Sequence, residues 1–171
     1  MFRRAGLIIS TFALACLAGC GSSTHQEQDL KTAPSLRVVN VLDEALFQDA
    51  HIKGSTHLNY TDFLEKVRSD TLNWDKADTV VFYCSNYLCT ASFEAARELK
   101  KQGFENVMAY EGGMAEWSQL SEQDPSFAVE GKKEQAYLKE VTPKPEHAVA
   151  GDVTIVSAQD LKKMMQDKNL L

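Results

Sequence analysis

The chain of 171 residues is long enough for one ordinary domain with additions and too short for two full ones. Its 44% hydrophobic and 25% charged residues exclude a wholly disordered or collagen-like polymer. A net charge of -6 without any long Lys/Arg run argues against nucleic acid as a partner, and four cysteines are too few for a disulfide-stapled scaffold.

Residues 1–19 read as an address, not as part of the fold. Arg3 and Arg4 precede an apolar stretch from Leu7 to Ala15, which falls short of the roughly 20 apolar residues a membrane-spanning helix needs. Leu17, Ala18 and Gly19 then lead to Cys20, the pattern of a secretory signal with a small-residue cleavage site. This segment resembles the lipobox of bacterial lipoproteins. The resemblance implies that Cys20 becomes the first mature residue and carries diacylglycerol, and two or more acyl chains anchor a protein stably where one does not. The expected location is the cell envelope, on the periplasmic face. Gly21, in place of an Asp that retains lipoproteins at the inner membrane, leans towards the outer membrane in a Gram-negative cell. Cys16 lies in the removed part. Residues 20–35 are polar, contain Pro34, and read as a flexible tether in which His25 is solvated.

The body, residues 36–123, alternates short apolar runs with helical patterns. Residues 36–42 carry Val38, Val39 and Val41 and suit a buried strand. Residues 43–48 suit a short helix with Asp43 as N-cap. Residues 51–59 turn at Gly54 into another short strand, and 61–67 space Phe63, Leu64 and Val67 as a helix does. Thr79–Tyr83 is the clearest strand, β-branched, aromatic and uncharged. The clearest helix is 90–102, with Ala91, Ala95, Ala96 and Leu99 on one stripe and Gly103 after its end. Val107–Tyr110 is a further strand, Glu111 to Gly113 a turn, and 114–120 a last short helix bearing Trp117. Strand–helix alternation at this spacing predicts an α/β fold, an open parallel sheet flanked by helices on both faces.

Cys84 stands where the strand Thr79–Tyr83 ends, a few residues before the helix begins. In parallel α/β folds, ligands bind at the carboxyl ends of strands, where loop amides and a helix N-terminus make an anion site. That field predicts a Cys84 pKa below the free value of about 8.5 and an activated sulfur nucleophile. Residues Ser85, Asn86, Tyr87, Leu88, Cys89 and Thr90 form the candidate substrate-binding loop, with Asn86 and Tyr87 at its mouth. Trp117 and Phe104 read as core, His51 as a turn residue bonded to backbone, and Lys100 with Lys101 as a solvated helix end. Two cysteines without a third ligand at metal spacing give no metal site, and no cofactor is expected.

Five elements in register resemble the rhodanese-like family over about residues 36–120. Residues 38–41 sit where its first strand ends. His51, Ile52, Lys53, Gly54 and Ser55 match its His-Ile-Pro-Gly-Ala turn, and Tyr83 with Cys84 opens its six-residue active-site loop. The run from Gly103 to Val107 matches Gly-Phe-x-Asn-Val. The run from Glu111 to Trp117 matches its Gly-Gly…Trp element. The resemblance implies a sulfurtransferase: Cys84 attacks a sulfane sulfur donor, holds the sulfur as a persulfide stabilised by loop amides, and passes it to a thiol acceptor, such as a protein thiol, or to cyanide. Departures from the family pattern are Asn40 and Leu42 in place of a strand-end Asp and Arg. Cys89 replaces an Arg that helps bind thiosulfate, and Thr90 replaces the Arg of phosphatase relatives, which argues against phosphoryl chemistry. The Cys-x4-Cys spacing makes Cys89 a candidate resolving or relaying thiol, and an exported location permits a disulfide. Two other readings stand beside the enzyme: a thiol–disulfide redox protein using Cys84 and Cys89, and a rhodanese-fold binding module with idle cysteines.

Residues 124–171 form a C-terminal extension. Residues 132–140 suit a short charged helix and 142–147, with Pro143 and Pro145, a linker. Residues 153–156 read as a strand. Residues 157–166 read as a helix with Ser157 as N-cap, Asp160 three residues on, and Leu161, Met164 and Met165 on one face. These resemble the opening strand and helix of a rhodanese domain, which are missing upstream. The extension is therefore expected to join the sheet edge or lie against it.

Overall fold

The computed structural model describes residues 34–144 and 151–171. The signal, Cys20, His25, most of the tether and residues 145–147 of the linker lie outside the described residues.

Alternating hydrophobic strands and amphipathic helices must bury both faces of any sheet they make. Here β1 (Leu36–Asn40) is followed by α1 (Glu44–Asp49), then β2 (Ala50–Ile52), β3 (Thr56–His57) and α2 (Tyr60–Arg68). Next come β4 (Thr79–Tyr83), α3 (Ala91–Lys101), β5 (Val107–Tyr110) and α4 (Gly113–Gln123). The extension adds β6 (Val129–Gly131), a 3-10 turn (Ala136–Lys139), β7 (Thr154–Ile155) and α5 (Ala158–Asp167). The main sheet has the order β3-β1-β4-β5-β7 and all its pairings are parallel. Its uncharged central strand β4 pairs Val81 with Val38 on one side and with Met108 on the other.

The strand period of two sorts side chains to opposite faces. Val80, Phe82 and Cys84 point to a core with Phe63 of α2 and with Ala95, Ala96 and Leu99 of α3. Val81 and Tyr83 point to a core with Met114 and Trp117 of α4 and with Leu161 and Met165 of α5. Trp117 and Phe104 are buried. Helix ends follow the local chemistry: Asn59 accepts from the Asp62 N–H, and Ser157 from the Asp160 N–H at 3.1 Å, satisfying donors that a helix leaves open. Asp43 occupies the N-cap position of α1 without a side-chain bond. Among the described residues of 132–140, only Ala136–Lys139 is helical, and it is a 3-10 turn.

Thr154–Ile155 lies beside β5 at the sheet edge, with Ile155 opposite Ala109. A second, two-stranded antiparallel ribbon joins β2 to β6 and sets Ile52 opposite Val129.

Candidate active site

All five strands of the main sheet run the same way, so their carboxyl ends gather on one rim. Cys84 is there, directly after β4, and its residue is 0% exposed. The loop after it folds tightly. The Cys89 N–H donates to the Asn86 carbonyl at 3.0 Å, and the Leu88 N–H donates to Asn86 Oδ1 at 3.0 Å. This holds Asn86 buried and pushes Leu88 out to 70% exposure at the loop tip. Thr90 is exposed, and Ser85, Tyr87 and Cys89 are half-buried. The structure thus collects every residue of the candidate loop on the rim.

Helix α4 clamps the loop from the other side. The N–H groups of Met114 and Ala115 donate to the carbonyls of Cys84 and Ser85, both at 2.9 Å. This approach depends on Gly113, whose φ is +59°. A Cβ there would sit 2.6 Å from the Cys84 carbonyl oxygen and 2.8 Å from the Asn86 nitrogen, which are backbone atoms that cannot step aside. Two residues after Ala115's neighbour Met114, Glu116 accepts from the Tyr87 hydroxyl and from the Tyr110 hydroxyl, each at 2.9 Å. Burial first, and then the Glu116 carboxylate, raise the pKa of the Tyr87 hydroxyl, keeping it a donor. The loop mouth is therefore tied to an acidic group. A groove of about 360 Å³ runs from Tyr87 and Glu116 to Ser157 and Asp160. A second, of about 200 Å³, runs from the same pair to Gln119 and Val141. A smaller cavity of about 80 Å³ lies between the segments leading into β4 and β5, near Trp74 and Phe104, and no thiol lines it.

Beneath the loop, Tyr83 is buried. Its hydroxyl bonds Ser55 Oγ at 2.7 Å and accepts the Ile52 N–H at 3.1 Å, and burial pushes its pKa up to about 12. Asn40, buried at the end of β1, accepts the Leu42 N–H at 2.9 Å, and its Nδ2 approaches Tyr83 without closing a hydrogen bond. His51 Nδ1 bonds the Phe47 carbonyl at 2.9 Å, and its Nε2 faces Glu130 at 3.2 Å.

The acidity of the two thiols corrects the expectation drawn from the loop. Burial raises the Cys84 pKa well above the ordinary thiol value, and the neighbouring Cys89 adds to this. The Cys84 sulfur donates to the Cys89 carbonyl at 3.1 Å and lies 3.5 Å from Ser92 Oγ. The amide cradle exists but serves the other sulfur. Cys89 is lowered to about 6, first by the Cys84 thiol and then, against burial, by the main-chain N–H groups of Ala91 and Ser85 and by the Ser85 hydroxyl. Burial thus favours the protonated form of Cys84, while the surrounding N–H groups and hydroxyl favour the ionised form of Cys89. Both thiols are free.

Sequence reasoning missed two contributors. Glu116 stood in the Gly-Gly…Trp element without a role. Tyr137, in the extension, carries a buried hydroxyl that makes no hydrogen bond, and burial raises its pKa.

An all-parallel sheet with a cysteine loop at its carboxyl rim defines an α/β domain of the open-sheet class. The chain belongs to the rhodanese-like domain family, whose model matches residues 23–120. It is 35% identical over 80 residues to the thiosulfate sulfurtransferase GlpE of Pseudomonas entomophila, covering 47% of this chain and 68% of that protein. To the GlpE of Shewanella oneidensis it is 28% identical over 99 residues, covering 58% and 92%. It is also 30% identical over 95 residues to the dual specificity phosphatase Cdc25 of Arabidopsis thaliana, covering 52% of this chain and 65% of that protein, less than two thirds of its length. Among solved structures, the rhodanese-like domain of the Alr3790 protein from Anabaena matches with a TM-score of 0.47 and 22% identity over 68% of this chain and 78% of that one.

Proposed function

We propose that this chain is an exported, membrane-anchored sulfurtransferase that carries sulfur as a persulfide on Cys84 and passes it to a thiol acceptor. The observation that carries the reading is the position of Cys84. It opens the loop at the carboxyl end of the central strand, inside residues 23–120 matched by the family, and the chain is similar to proteins named as thiosulfate sulfurtransferases. In the reaction a thiolate attacks the sulfane sulfur, the donor remnant leaves with the bonding electrons, and the persulfide later yields its outer sulfur to the acceptor. The phosphatase likeness does not extend to phosphoryl transfer: Thr90, uncharged, occupies the position of the phosphate-binding Arg.

The test is mass spectrometry of the purified chain after thiosulfate or polysulfide, which should show a gain of about 32 Da, one sulfur atom, on a loop cysteine peptide. In Cys84→Ser, transfer to an acceptor thiol should be lost with little effect on folding, because the change is nearly isosteric. Turnover near wild type in that variant overturns the assignment. Anchoring rests on the signal pattern ending at Cys20, and Cys20→Ser should leave the protein unprocessed or release it from membranes.

A second reading is favoured by one observation, two free thiols that lie side by side in one loop. A dithiol of this kind also suits thiol–disulfide exchange, where the attacking group is a thiolate. A titratable Cys84–Cys89 disulfide, with no sulfur gain from any donor, would select it.

A further inference from the structure

Two features of the loop separate the roles of its thiols. The Cys84 side chain is enclosed between the sheet and α3, is 0% exposed, and its sulfur points at the Cys89 carbonyl 3.1 Å away. Cys89 is half-buried at the edge of the same core, between the Asn86 turn and the start of α3, and keeps the solvent access that Cys84 lacks. The hydrogen bonds that would steady an anionic sulfur, from the Ala91 and Ser85 main chain and the Ser85 hydroxyl, converge on Cys89. A donor reaching this rim meets Cys89 before Cys84.

We propose that Cys89 is the sulfur-receiving nucleophile and that Cys84 is loaded from it, so that the loop works as a two-thiol relay. This rests on the sulfurtransferase reading above. In the first step the Cys89 thiolate forms a bond to the terminal sulfur of a sulfane donor, a thiosulfate or polysulfide anion. The bond joining that sulfur to the donor breaks, and its electron pair leaves on sulfite or on the shortened polysulfide. The product is a Cys89 persulfide anion in the cradle of Ser85 and Ala91. In the second step Cys84 gives up its proton and attacks the outer sulfur. The bond from Cys84 to that sulfur forms, the bond from Cys89 breaks, and Cys89 takes the proton. The relay is redox-neutral and needs no further reactant. It leaves the sulfur on the more enclosed of the two cysteines until the acceptor thiol takes it, and it gives Cys89 a chemical role beside Cys84.

The experiment uses the full chain with inorganic polysulfide as the probe. Brief iodoacetamide labelling at about pH 6.5 followed by peptide mapping should modify Cys89 about tenfold faster than Cys84, because the more accessible and more acidic thiol reacts first. In rapid-quench loading, Cys84→Ser should still gain sulfur, and gain it on Cys89. Cys89→Ala should load Cys84 about tenfold more slowly, as expected when the accessible thiolate is removed. Cys89→Ser serves as a second variant, and thermal melting verifies that each chain is folded. Loading of Cys84 at the wild-type rate without Cys89, or faster labelling of Cys84, overturns the relay alone. A wild-type chain that gains sulfur on neither cysteine overturns the sulfurtransferase reading and the relay with it.

Discussion

The two faces of the sheet are closed in different ways. The face carrying Val80, Phe82 and Cys84 is covered by α2 and α3, and its core is made largely of residues 39–109, with only Val153 and Ile155 contributed from the extension. The face carrying Val81 and Tyr83 is covered by α4 together with the extension, which contributes Phe127, Leu138, Val156, Leu161 and Met165. One face is thus closed by helices that follow their strands directly, and the other needs, besides α4, chain that returns from the extension as far along as Met165. The difference teaches that the extension is structural, since without it the Tyr83 and Trp117 side of the core stands open. The active loop runs along the seam, with Cys84 belonging to the first face and the residue before it to the second.

The largest expected effect follows from removing the returning chain. A protein ending at Glu140 loses Val156, Ala158, Leu161 and Met165, all buried. Full burial of each large aliphatic contributes about 1.5–3 kcal/mol, and a whole domain is stable by only about 5–15 kcal/mol. The truncated chain should fail to give a cooperative melt in circular dichroism, or melt more than about 10 °C lower. An unchanged melting temperature would show that the second face is closed without β7 and α5. The comparison sharpens with one leucine from each face. Leu99 and Leu161 are both 0% exposed, so Leu99→Ala and Leu161→Ala should each cost about 2–5 kcal/mol in urea titration. A Leu161→Ala cost below about 0.5 kcal/mol, the level of a surface substitution, would mean that α5 is only loosely docked.

How much of this was legible depended on whether the cause was local. The strands Thr79–Tyr83 and Val107–Tyr110 could be read to the residue, because a short uncharged β-branched run bounded by turn residues has few alternatives. The Ser157 cap and the buried stripe of Leu161 and Met165 were likewise readable, since capping and 3.6-residue periodicity are properties of a dozen neighbouring residues. The β2–β6 ribbon was not. It joins two three-residue strands across nearly eighty positions, and neither shows a period of its own. At the site, the motif placed Cys84 and its loop on the sheet rim, but not the thiol acidities. Those depend on which sulfur the turn at Asn86 leaves outside and which the sheet encloses, and on the direction of a few N–H groups.

Gly113 tests the seam itself. A methyl group there would collide with the backbone of Cys84, Ser85 and Asn86, and its φ of +59° is costly for any residue with a Cβ. Gly113→Ala should destabilise the fold by about 1–3 kcal/mol, the usual cost of a strained backbone position. It should also displace the loop, so that selective low-pH labelling of Cys89 is lost while the chain still melts cooperatively. Retention of both stability and labelling would show that α4 does not hold the loop.

The smallest effect distinguishes the faces by pH. Lys162 of α5 reaches back to Asp124 Oδ2 and to Ser126 Oγ, both at 2.9 Å, and lies 4.1 Å over the Phe127 ring. The Ser126 hydroxyl, then Lys162, then the Ser126 N–H lower the Asp124 pKa to about 2. A carboxyl whose folded pKa lies below its unfolded value of about 3.9 favours folding wherever it is ionised. That contribution is complete above about pH 4 and disappears as the pH falls towards 2. The pair is exposed and salt-screened, so the effect should be a shift of a few degrees at most. Comparing thermal melts of wild type and Asp124→Asn from about pH 6 down to pH 2 isolates it, because the other titrating carboxyls, Asp78 among them, are common to both chains. The wild type should lose its small advantage within that window and the two curves should meet at the acid end. Curves that stay parallel throughout would mean that the Asp124–Lys162 link does not hold α5 to the second face.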